Sequence, residues 1–147
     1  MTISVEVQFA VKHTMLPSLD DFQKWAAAIP SKDVDFTACI RIVGEGEAKK
    51  LNKEYRNINK ATNVLSFQAS IPKEIGINIL GDVVICAPVI YQEALEQNKD
   101  PYSHWAHMLI HGILHLQGYD HQNASQAEVM EALEIKTLEK FEIKNPY

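Results

Sequence analysis

DPYSHWAHMLIHGILHLQGYDH, residues 100–121, is the stretch on which the fold turns. Asp100 followed by Pro101 reads as an N-cap with proline at the first helical position, where its fixed φ suits the helix and its missing N–H costs little. Trp105, Met108, Leu109, Ile110, Ile113 and Leu114 then give the predicted helix, which runs to about Leu116, an apolar surface wider than one stripe. A helix of that kind is enclosed by the rest of the fold. Gly118 suits the left-handed backbone that ends a helix and turns the chain back.

The same helix carries His104, His107, His111 and His115, and His121 follows the turn. His111 and His115 lie one turn apart on one face, so both imidazoles can reach one ion. His107 and His111 are related in the same way. His107 and His115 are separated by roughly 12 Å along the axis and cannot share an ion. The turn at Gly118 favours the His111/His115 pair, because it returns His121 beside His115 as a third ligand. Three neutral imidazoles on one zinc ion leave the fourth tetrahedral position to water, the layout of a catalytic site. Imidazole also suits nickel or copper, so the ligands alone do not fix the metal. His104 and His107 are expected in packed or supporting positions. Asp120 can either orient a ligand imidazole or serve the turn.

With 147 residues, 46% hydrophobic and 22% charged, the chain is most simply one soluble globular domain spanning 1–147. MTISVEVQFA alternates like a strand and does not resemble a secretory signal. No apolar run approaches the ~20 residues that span a bilayer. Cys39 and Cys86 fall in β-like segments and are expected to be buried, reduced thiols. The expectation is therefore a cytoplasmic protein without membrane contact. A net charge of −5 argues against coating of nucleic acid by bulk electrostatics. A local basic segment remains: Lys49, Lys50, Lys53, Arg56 and Lys60 stand against Glu54 alone.

Elsewhere, Ile3 to Phe9 alternates as a half-buried strand. Ser18 caps a helix that runs to about Ala28, with Leu19, Phe22, Trp25 and Ala26 on one face, and Pro30 follows. Phe36 to Val43 is a second strand, followed by a short helix from about Glu47 to Tyr55. Val64 to Phe67 is a third strand. Residues 70–79 read as a loop. Leu80 to Cys86 is a fourth strand, apolar enough to be buried on both faces. A helix from Pro88 to about Gln97 precedes the central one. Ser125 and Glu128 form a capping box that opens a last helix to about Phe141. The order predicts an α+β domain, with a four-stranded mixed sheet packed with helices around the histidine-bearing helix.

The spacing HxxxHxxGxxH is that of the metzincin zinc peptidases, except that Gly112 stands where they place the glutamate base. Metal-assisted water activation survives that change, but the adjacent proton acceptor used in peptide hydrolysis does not. Phosphodiesters, which need Lewis-acid activation and charge neutralisation, fit better. His111 is then a catalytic candidate as well as a ligand. Arg56 is the candidate for holding and stabilising the phosphate, because its planar fork matches two phosphate oxygens. The pattern does not rank Arg56 above Lys53, so both are candidate substrate-binding residues.

HGILHLQGYDH resembles the signature of the YbeY family of bacterial metal-dependent endoribonucleases. LNKEYRNINKATNVLSF (51–67) and LGDVVIC (80–86) resemble two further blocks of that family, in matching order. Asn63 is a departure, since the family more often has aspartate there. The resemblance implies a single-strand-specific endoribonuclease that matures the 16S ribosomal RNA 3′ end and contributes to ribosome quality control. It implies one zinc ion on His111, His115 and His121, and a functional arginine at Arg56. It also implies partners in the small ribosomal subunit and its proteins and in an Era-type GTPase. Two other functions stay open: a metzincin-like peptidase, and a non-catalytic assembly factor stabilised by its metal.

Overall fold

The computed structural model describes residues 2–12, 15–31, 35–69 and 78–147. They form β1 (Ile3–Phe9), α1 (Leu19–Ala27), β2 (Phe36–Val43), α2 (Glu45–Arg56), β3 (Val64–Gln68), β4 (Ile79–Cys86), α3 (Ala87–Glu96), α4 (Pro101–Leu116) and α5 (Ala124–Glu139). The sheet is mixed, in the order β1-β2-β4-β3. β1 and β2 pair in parallel, as do β2 and β4, and β3 runs antiparallel to β4. This is the expected α+β architecture. The loop expected at 70–79 lies mostly outside the described residues, and its last residue, Ile79, begins β4.

Alternation in the strands decides which helix covers which face. Ile3, Val5, Ala38, Ile40, Ile42, Val83 and Ile85 join Phe22 and Trp25 of α1 and the apolar side chains of α4 in the main core. Val43, Leu65, Val84 and Cys86 point the other way and form a smaller cluster with Ala48 of α2. β4 is therefore buried on both faces only from Val83 onward. Asp82 is exposed, so the strand is double-faced over its second half alone. Cys86 is buried and Cys39 only half-buried, and both are free thiols.

Helix ends follow local chemistry. The Ser18 side chain accepts from the Asp21 N–H, and the Asp21 carboxylate accepts from the Ser18 N–H, a full capping box. The start of α5 differs from expectation. Asn123 is the N-cap, accepting from the Gln126 N–H at 2.9 Å, and Ser125 lies inside the first turn. Asparagine competes equally with serine at this position, and the better-placed residue took it.

α4 lies across β3 and β4, and Gly112 makes the approach possible. A Cβ at this position would sit 2.6 Å from Val83 Cγ1 and 3.2 Å from Val64 Cγ2. The Ser66 hydroxyl donates to the Gly112 carbonyl at 3.0 Å. The Gln68 side-chain amide donates to the carbonyls of His115 and Leu116. Together these contacts tie the strand β3 to the histidine-bearing helix.

Candidate functional site

α4 ends in a Schellman turn. The Gly118 N–H bonds to the His115 carbonyl and the Tyr119 N–H to that of Leu114, with Gly118 at φ 98°. The turn returns the chain so that the His121 ring lies 5.5 Å from that of His111 and 5.1 Å from that of His115, centroid to centroid. His111, His115 and His121 each offer a ring nitrogen, and these three atoms lie within 4.8 Å of one another. The Nε2 atoms of His111 and His115 are 3.1 Å apart. Two nitrogens each ~2.0–2.1 Å from one tetrahedral ion take nearly that separation. Burial, with the neighbouring imidazoles of His111 and His121, pushes His115 below the usual histidine range, which favours the neutral form a metal needs.

A fully buried glutamate stands behind His111. Glu134 of α5 accepts from His111 Nδ1 at 2.7 Å, from His107 Nε2 at 2.6 Å and from the Tyr147 hydroxyl. Burial works against ionisation of Glu134, but the bonds from His107, His111 and Tyr147 outweigh it and hold the carboxyl at about 2. The bond to Glu134 fixes the proton of His111 on Nδ1 and leaves Nε2 as a lone pair facing His115. This is the carboxylate–histidine support that orients metal-bound imidazoles. Asp120 takes the other of its two expected roles, accepting the His121 backbone N–H at 2.8 Å in the turn.

His107, His111 and Glu134 form a second group that could hold an ion. His104 resembles His107: it donates from Nε2 to Glu93 at 2.9 Å, while the Nδ1 atoms of both rings are buried with no hydrogen-bond partner among the described residues. Glu93 also accepts from the Asn63 side-chain amide at 3.2 Å. The asparagine that departs from the family pattern is thus a donor to a carboxylate, a bond that an ionised aspartate could not make.

The three histidines line a cleft of about 870 Å³. Arg56, the last residue of α2, lines the same cleft, as do Tyr55 and Phe67. Lys53 does not. It lines a separate depression with Lys49 and Lys50, and its ammonium donates to the Asn57 side chain at 2.9 Å. Gly112 faces the sheet, so position 112 has no room for the glutamate that the peptidase motif would place there.

Glu134 escapes a reading based on ligand spacing. Met130 and Leu138, each one turn from Glu134, are buried with it, but α5 is so weakly amphipathic that its sequence does not mark this face as the covered one. Tyr147 carries no signal either.

Fold and site together define a class: an α+β domain whose central helix presents a histidine cluster able to hold a metal ion, with an arginine lining the same cleft. The family model for endoribonuclease YbeY matches residues 5–142, and the chain belongs to that family. It is 47% identical to the endoribonuclease YbeY of Colwellia psychrerythraea, covering 97% of this chain and 96% of that protein. Its identity to the endoribonuclease YbeY of Nitrosococcus oceani is 43%, covering 100% and 98%. The solution structure of TM1509 from Thermotoga maritima shares the fold, with a TM-score of 0.52 at 20% identity over 96% of this chain and 92% of that one. Membership supports an endoribonuclease role, with RNA as the substrate class. Among the described residues no helix is long and apolar enough to cross a membrane.

Proposed function

We propose that this chain is a zinc-dependent endoribonuclease specific for single-stranded RNA, acting in 16S ribosomal RNA 3′-end maturation and ribosome quality control. The observation that carries the proposal is that His111, His115, His121 and Arg56 line one cleft. The three imidazoles hold one zinc ion per chain. When bound, such an ion supplies Lewis-acid charge stabilisation and acidifies water. Arg56 grips the scissile phosphate and stabilises the charge that develops on it. Glu134 keeps the His111 ring turned with Nε2 toward the cleft. Of the two basic candidates, Arg56 serves the substrate directly and Lys53 contributes only positive charge outside the cleft. The family resemblance extends the proposal to a cytoplasmic setting, with the small ribosomal subunit and an Era-type GTPase as partners.

The test incubates metal-loaded protein with single-stranded RNA and, separately, with casein, alongside His111→Ala and Arg56→Ala purified in the same way. The proposal expects RNA cleavage by the wild type, none by His111→Ala, and a large loss in Arg56→Ala. Casein should stay intact. Cleavage of casein alone would point to a peptidase. If no RNA is cut and His111→Ala loses its fold, the metal is structural and the protein an assembly factor.

A further inference from the structure

Tyr55 sits in the last turn of α2, beside Arg56, and is 60% exposed. Scattered exposed apolar residues are ordinary, so exposure alone says little. What sets Tyr55 apart is its surroundings. Its ring rests on that of Phe67 in β3, with centroids 4.9 Å apart and planes inclined at 60°. Phe67 is packed against the smaller apolar cluster beneath α2, which braces it. Both rings line the cleft that holds the three histidines and Arg56. Tyr119 lines it too, but that ring is packed against the main core and forms part of the wall.

We propose that Tyr55, braced by Phe67, is a stacking site for an unpaired nucleobase next to the phosphate that Arg56 holds. The inference rests on the endoribonuclease reading above and assigns part of its specificity. Every nucleobase has a π-face, so such a platform is tolerant of sequence. A base inside a duplex has both faces covered by its neighbours and cannot use it, whereas a single strand can splay its bases onto aromatic rings. Tyr55 therefore makes the cleft select single strands without reading their sequence. The phenolic hydroxyl is not needed for stacking, so phenylalanine should serve as well.

The test compares metal-loaded wild type, Tyr55→Phe and Tyr55→Leu in steady-state cleavage of a short single-stranded RNA. It is paired with fluorescence quenching of 2-aminopurine placed at successive positions of the same RNA. All three proteins should melt alike, because most of the side chain is in solvent. Tyr55→Phe should match wild type. Losing one base–aromatic stack corresponds to roughly 5- to 150-fold in affinity. Tyr55→Leu should therefore raise KM about tenfold with kcat nearly unchanged, and lose the quenching that one position shows with wild type. If wild type cuts RNA and Tyr55→Leu keeps both its KM and the quenching, the stacking site is refuted. A fall in kcat at constant KM refutes it as well. A wild type that neither binds nor cuts single-stranded RNA removes the endoribonuclease reading itself, and the stacking site with it.

Discussion

Replacing Glu134 by glutamine keeps the shape of the side chain and removes its charge. The native carboxylate is wholly buried and accepts three hydrogen bonds, two of them from imidazoles at 2.6 and 2.7 Å. Its pKa falls from 4.5 to about 2 on folding. A depression of that size is worth on the order of 3 kcal/mol. Because the folded value is the lower one, the contribution is complete above about pH 4.5 and disappears as the pH falls through about 2. Glu134→Gln in chelator at pH 7 should thus be about 2–4 kcal/mol less stable, lowering Tm by roughly 6–12 °C for a domain of this size. Its deficit against wild type should shrink as the pH drops below 4.5. Zinc affinity should fall about 10–100-fold, since outer partners of metal-bound histidines have effects of that order. Urea unfolding at several pH values, with a competition titration of zinc, measures both. Equal stability at pH 7 and equal zinc affinity would refute the view that Glu134 is ionised and orients His111.

Other changes probe separate parts of the account. Gly112→Ala should destabilise the fold by about 1–2 kcal/mol, as overpacking against Val83 exceeds the gain in helix propensity; urea unfolding should also show that Val83→Ala, costly in the wild-type core, costs less in the Gly112→Ala background. His121 is exposed, so His121→Ala should leave stability in chelator within about 0.5 kcal/mol of wild type. Its zinc affinity, measured by calorimetric titration, should nonetheless drop by more than the roughly 10–100-fold expected of Glu134→Gln, because a ligand itself is lost. Lys53→Ala should change single-stranded RNA binding less than about twofold, whereas Arg56→Ala should weaken it by about tenfold or more, the size of a lost charge-assisted hydrogen bond. Equal losses in the two variants would place the substrate over the wrong face of α2.

Both ends of α4 are legible in the sequence because they depend on neighbours: Asp100-Pro101 opens the helix and Gly118 closes it. The three histidines that meet past the turn follow from the same local rules. Strand order does not, because pairing β4 between β2 and β3 is a property of the whole sheet. Glu134 was hidden for a similar reason. It reaches His111 from a different helix, and only tertiary packing shows which face of α5 is buried. Gly112 was readable as the absence of a base, while its role in letting α4 approach Val83 and Val64 needed the sheet beneath it. Arg56 and Lys53 look alike in a basic run, yet Arg56 lines the cleft and Lys53 faces a different hollow.

The central claim is that the ion belongs to His111, His115 and His121 and not to the neighbouring group of His107, His111 and Glu134. Elemental analysis of zinc per chain, after equilibration with limiting free zinc, tests it in wild type, His115→Ala and His107→Gln, the last keeping a donor where His107 Nε2 stands. The account predicts one zinc in wild type and in His107→Gln, and none in His115→Ala. Full occupancy in His115→Ala with loss in His107→Gln would contradict it.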